Sequence, residues 1–350
     1  MTMRPESRSI TSLLVAVILS AACRSDPMAI EGEDAASVAD LVRRHPKVGS
    51  VRPVVTFSAG ESPEGIAVDR RGNMYVGLRQ RDPATGAFMR NEVVRIDRDG
   101  GVTSIADLGP AQSDGAGVLG LATDRRGDVY AAFASGSIAT RGVYRIASDG
   151  SSVERIAGSE GVTFPNGLAF DARGRLYATD SFDGAVWRYA SGGAFEKWIE
   201  DPRLAPVAIP GFPPLPGVNG VVTRPGAGLF IANTSQGTIV RIDVLPDGSA
   251  GDVEVLASGL LGVDGIAARP AGPLYVVNAG ANLLGVPALI AVDARTGKIV
   301  PISADPGAFD DPTSVVVGRG RSGPGSVFVV NSDVFAPTGA GSGVVQVRVR

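Results

Sequence analysis

One cysteine and one histidine in 350 residues remove much of the chemistry those side chains carry. With Cys23 alone, no intramolecular disulfide can form, and with His45 as the only imidazole no His/Cys zinc site can assemble in the remaining 300 residues. Only three of the 33 basic residues are lysine (Lys47, Lys197 and Lys298), no basic run occurs, and the net charge is −3. That balance gives no electrostatic case for nucleic acid as a partner. The one sustained apolar run, Ile10 to Leu19, is too short to span a bilayer. What the chain has instead is 47 glycines and 24 prolines among frequent Val and Ile. This is the composition of many short strands joined by tight turns, an all-β chain.

The apolar run follows Arg4 and Arg8 and precedes Ser20-Ala21-Ala22-Cys23. A basic flank, a short apolar stretch and small residues form an export signal over 1–23. Cys23 stands where a bacterial lipoprotein would be cleaved and lipidated, which predicts a periplasmic or membrane-anchored protein of the cell envelope. The match is incomplete, because Ser20 occupies the place usually held by leucine. Plain secretion after cleavage at the same residues is the alternative. Residues 24–50 read as a tether with a short helix, capped by Asp34 and presenting Val38, Leu41 and Val42 on one face.

From residue 51 onward one hairpin recurs. ESPEGIAVDRRGNMYVG (61–77) returns as VLGLATDRRGDVYAAF from Val118, FPNGLAFDARGRLYATDS from Phe164 and VNGVVTRPGAGLFIANTS from Val218. It appears again as VDGIAARPAGPLYVVNAG from Val263 and PTSVVVGRGRSGPGSVFVVNS from Pro312. The residues before the first strands are Glu64, Leu119, Asn166, Asn219, Asp264 and Thr313, spaced by 55, 47, 53, 45 and 49. A period near 50 with about four strands per unit predicts a β-propeller blade, and six units predict six blades. The last unit ends short of a fourth strand at Arg350, while VRPVVTFS (51–58) belongs to no unit. Pairing the two closes the ring over 51–350 and removes a sheet edge.

Innermost strands line a propeller's channel, so the six aligned residues form a ring at one mouth. Glu64, Asn166, Asn219 and Asp264 are oxygen donors suited to a hard divalent cation, Ca²⁺ first and Mg²⁺ second. The competing explanation is turn chemistry, since Asn-Gly and Asp-Gly are turn formers. It accounts for the glycines but not for Glu64, and Leu119-Gly120 shows that a polar residue is not required. A second ring, at the ends of the second strands, contains Asp180, Asn233 and Asn278. These are candidates for contact with substrate or with metal-bound water, or for bonds to neighbouring loops.

PEGIAVD, PNGLAFDARGRLYATD, NGVVTRPGAGLFIANTSQGTIVRI and DGIAA…LYVVN together resemble the regucalcin/gluconolactonase/luciferin-regenerating-enzyme-like family. That family lies within the paraoxonase-like calcium-dependent six-bladed β-propellers. The resemblance implies that Glu64, Asn166, Asn219 and Asp264 ligate the metal and that Asp264 also serves as base or nucleophile, with Glu64 mainly holding the ion. Paraoxonase-like members place histidines at the site; here none follows His45, so a His base and a Ser-His-Asp triad are excluded within the propeller. The expected reaction is metal-assisted hydrolysis of a lactone or ester. The nearly uncharged stretches LAPVAIPGFPPLPGV (204–218) and ANLLGVPA (281–288), together with DVFAPTGAG (333–341), point to an apolar small-molecule substrate. A non-catalytic envelope propeller binding a ligand or protein around a structural metal is the alternative from another class. A strictosidine-synthase-like enzyme using a glutamate for acid–base work is a third.

Overall fold

The computed structural model describes residues 48–82, 88–97, 99–111, 115–302, 306–319, 323, 325–333 and 341–350. The export signal, Cys23, His45 and the tether up to Lys47 lie outside the described residues. Among the described residues, twenty-four strands form six four-stranded antiparallel sheets, the blades of a β-propeller. Blade 1 comprises β2 (Glu61–Val68), β3 (Met74–Arg81), β4 (Phe88–Ile96) and β5 (Val102–Asp107). Blade 2 comprises β6 (Gly117–Thr123), β7 (Val129–Ala134), β8 (Gly142–Ile146) and β9 (Val153–Arg155). Blade 3 comprises β10 (Pro165–Phe170), β11 (Leu176–Asp180), β12 (Ala185–Tyr189) and β13 (Phe195–Glu200). Blade 4 comprises β14 (Val218–Arg224), β15 (Gly228–Asn233), β16 (Thr238–Val244) and β17 (Ala250–Ala257). Blade 5 comprises β18 (Val263–Ala268), β19 (Leu274–Asn278), β20 (Leu289–Val292) and β21 (Ile299–Pro301). Blade 6 comprises β22 (Pro312–Val317), β23 (Ser326–Asn331), β24 (Gly343–Arg348) and, as its outer strand, β1 (Val51–Thr56).

The ring therefore closes as the orphan N-terminal strand predicts. Val51 pairs with Val347 and Thr56 with Gly343. No sheet can bury both faces alone, and the apolar alternation of each strand is used twice. Six hydrophobic clusters lie between successive blades, from Ala67, Val93, Val118 and Phe133 between blades 1 and 2 to Val76, Ile96, Phe328 and Val344 across the closing seam. The D-x-x-G turns below the inner hairpins also have a mechanism. Asp69 Oδ1 accepts the Asn73 N–H at 2.9 Å while Gly72 takes φ 88°. Asp124 and Asp171 repeat the device through the N–H groups of Asp128 and Arg175. Side-chain acceptors of this kind hold the turn without a helix or ladder.

Candidate functional site

What aims the ring residues at the channel is a repeated irregularity. Each inner strand loses register with its neighbour just below the upper face: between Pro63 and Ile66, Val118 and Leu121, Pro165 and Leu168, Val218 and Val221, and Val263 and Ile266. Blade 6 does so between Pro312 and Ser314. A bulge releases a residue from the pleat and re-aims its side chain. Glu64, Leu119, Asn166, Asn219, Asp264 and Thr313 all sit at these bulges. The glycines after the first five are not turn residues, since none has positive φ. They are there because blades approach closely: a Cβ on Gly220 would stand 2.5 Å from the Asp264 carbonyl oxygen, and one on Gly265 2.6 Å from Ser314 Cα. Gly65, Gly120 and Gly167 face the carbonyls of Leu119, Asn166 and Asn219 in the same way. The Asn-Gly and Asp-Gly pairs thus owe their glycines to inter-blade packing, so turn chemistry no longer explains the residues before them.

Glu64, Asn166, Asn219, Asp264 and Thr313 line the upper end of a channel cavity of about 600 Å³. In blades 3 and 4 the amide nitrogens are committed. Asn166 Nδ2 donates to Ser181 Oγ at 3.0 Å, and Ser181 donates on to the Val218 carbonyl at 2.7 Å. Asn219 Nδ2 donates to Thr234 Oγ1 at 3.1 Å, and Thr234 donates on to the Val263 carbonyl at 2.7 Å. Hydroxyls that take the amide N–H leave the two Oδ1 atoms as the free donors, an outer support that orients a ligand. Blade 6 contributes Thr313, whose Oγ1 donates to the Glu64 carbonyl at 3.0 Å.

Sequence reasoning missed one member of the site. Arg79 Nη2 donates to Glu64 Oε2 at 2.6 Å, with the two side chains 7% and 16% exposed. The same nitrogen reaches Ser62 Oγ at 3.1 Å, and Nη1 donates to the Ala116 carbonyl at 3.3 Å. The guanidinium also lies 4.6 Å over the Phe88 ring. The signal was present: Arg79, Ser181 and Thr234 each stand fifteen residues after their ring partner, so Arg79 fills the supporting position of blade 1. Burial raises the pKa of Glu64, and Arg79 opposes it. The pKa of Asp264 is raised well above the usual range by burial and then by the Glu64 charge, with Arg79 opposing. Among the described residues no hydrogen bond reaches the Asp264 carboxylate.

The second ring behaves differently. Asp180 accepts the N–H groups of Thr163 and Phe164 at 2.7 and 2.9 Å. Asn233 donates to the carbonyls of Arg203 and Ala205 and accepts the Gln236 N–H. Asn278 donates to the Leu261 carbonyl and accepts the Gly280 N–H. None of the three lines the channel. In the structure all three hold loops through their backbone partners, the second of the two roles open to them. Apolar side chains are exposed in upper loops, Val207 in one and Leu283 and Val286 in another; residues 334–340 lie outside the described set.

The donor set suits a hard cation. Among the described residues no three His, Cys, Asp or Glu side chains gather; the ring offers two carboxylates and two oriented amide oxygens. One guanidinium faces two carboxyl groups, and the raised pKa of both records burial, to which Asp264 adds repulsion by Glu64; an oxygen-seeking divalent ion would relieve both.

No family model and no curated protein matches this chain. Its fold is shared with solved structures. A gluconolactonase from Xanthomonas campestris superposes with TM-score 0.60 at 14% identity, over 89% of this chain and 93% of that one. A calcium-binding regucalcin from Agrobacterium tumefaciens gives 0.59 at 14%, over 86% and 94%. A virginiamycin B lyase from Staphylococcus aureus gives 0.53 at 12%, over 86% and 99%. At these identities the likeness is one of fold, and the fold carries more than one reaction.

Proposed function

We propose that this chain is a divalent-metal-dependent hydrolase of a lactone or ester. The observation that carries the reading is the pair of amide oxygens, freed by Ser181 and Thr234, that face the channel beside Glu64 and Asp264. Glu64, Asn166, Asn219 and Asp264 would hold the ion, Ca²⁺ in preference to Mg²⁺ because carboxylates and amides in a roomy ring match its flexible coordination. Bound there, the ion supplies Lewis acidity toward a carbonyl oxygen. Asp264 takes the proton from the attacking water: it lines the channel beside the two amide oxygens, and no hydrogen bond among the described residues ties up its carboxylate. Arg79 holds Glu64 in place and opposes the effect of burial on its charge. The gluconolactonase and regucalcin among the neighbours support a lactone and calcium respectively. The uncharged loops above the ring favour an apolar substrate over a sugar acid. Residues 1–23 support export to the cell envelope, with Cys23 as the lipidation site.

Metal analysis of the purified protein, with a lactone and ester panel run before and after chelation, tests this. Calcium near one per chain and turnover lost on chelation is the expected result; turnover that survives complete metal removal overturns it. A second reading, a binding propeller with a structural ion, is favoured by the Glu64–Arg79 pair, which already compensates one carboxylate. Bound calcium with no turnover on any substrate selects it.

A further inference from the structure

The opposite end of the channel has the opposite chemistry. Every one of the six inner hairpins carries arginine at its lower turn. Arg70, Arg125, Arg126, Arg145, Arg269 and Arg319 line the lower part of the cavity whose upper end is the acidic ring. The acidic side chains facing the same space are already engaged. Asp124 accepts the N–H groups of Arg126, Gly127 and Asp128. Asp171 pairs with Arg175 at 2.6 Å. Arg145 is itself held by Asp128, and Arg125 donates to the Ala172 carbonyl. Two nitrogens of Arg269 differ: its Nε and Nη2 are shielded from solvent and meet no acceptor among the described residues. A shielded guanidinium without an acceptor forfeits the hydrogen bonds it had in water, so such a group is normally matched by an anion.

We propose that the lower mouth of the channel is a phosphate-binding site, with Arg269 as its inner ligand and Arg70, Arg125 and Arg319 at its rim. The planar fork of arginine matches a tetrahedral oxyanion, and arginines from adjacent blades give several forks around one centre. The site is separate from the ring. Arg269 lies five residues beyond Asp264 along the same strand direction, about 16 Å at the usual rise of a strand. It does not depend on the hydrolase reading. The phosphate has two sources, a soluble phosphate ester or a phospholipid headgroup. The described chain enters the fold on this same face, since Val48 lies beside the lower turns of blades 4 and 5.

Calorimetric titration of the full chain with inorganic phosphate, against chloride at equal ionic strength, is compared for wild type, Arg269→Gln and the distant control Lys197→Gln. Wild type and the control should bind alike, while Arg269→Gln binds about ten- to a hundredfold more weakly, as expected for loss of hydrogen bonds to a charged group. A melting curve without phosphate should show Arg269→Gln no less stable than wild type, which separates lost binding from lost folding. Co-sedimentation with phosphatidylcholine vesicles, with and without phosphatidylglycerol, identifies the source. Arg269-dependent retention on the anionic vesicles selects the headgroup, and phosphate binding without it selects a soluble ester. No phosphate binding by wild type, or equal binding by Arg269→Gln, overturns the proposal.

Discussion

Two rings of acidic and amide side chains circle the upper face, and only one faces the channel. Glu64, Asn166, Asn219 and Asp264 stand on bulged inner strands, with free oxygens and incompletely balanced charge. Asp180, Asn233 and Asn278 end the regular second strands and bond to loop backbone. Residue type is the same in both. The difference is backbone register: a bulge turns the side chain out of the pleat toward the axis, whereas a regular strand end leaves it beside N–H and C=O groups that need partners.

Substitutions can break this contrast. The largest effect falls on Asp264→Asn: lactone or ester turnover is expected to drop about 10²- to 10⁴-fold, the usual contribution of a general base, with the circular dichroism spectrum unchanged. Next is Arg79→Met, which strands the Glu64 carboxylate in a buried site. Chemical denaturation without metal should show a loss of about 3–5 kcal/mol, partly restored by calcium.

The third test uses pH. Because the folded pKa of Asp264 is raised, its contribution to stability is complete below the unfolded value of about 3.9 and is lost as pH rises through the folded one. The melting temperature of metal-free Asp264→Asn should therefore gain on wild type as pH increases from 4 to 9. Saturating calcium should reverse the order at high pH. A difference that is flat with pH would mean that the carboxylate is not strained by burial. Fourth, Asp180→Asn in the second ring should cost about 1–3 kcal/mol in denaturant titrations, by weakening charged bonds to Thr163 and Phe164, yet leave kcat/KM near wild type. The smallest effect is expected for Ser181→Ala: calcium affinity by calorimetry falls about tenfold as Asn166 loses its orientation, with little change in melting temperature.

The sequence made the fold readable because a period near 50 and an orphan strand admit few other topologies, and both appear in the blades and in the β1–β24 pairing. The ring positions were readable for the same reason. Arg79 was not, because its guanidinium reaches Glu64 from a neighbouring strand, and only pairing converts a fifteen-residue separation into 2.6 Å. The Asn-Gly pairs left turn chemistry open as an alternative, since contacts between blades are invisible in a local pattern. The arginines were hidden as well. No basic run exists in the chain, yet sixfold repetition gathers isolated turn residues at one mouth.

Glu64 lies on the first blade and Asp264 on the fifth, and the sixth joins them through β1 and the Thr313 bond to the Glu64 carbonyl. The two carboxylates therefore become neighbours only when the last blade is in place. Any ligand that needs both is a late reporter in folding: it recognises a finished circle and ignores every open arc, however many blades that arc contains.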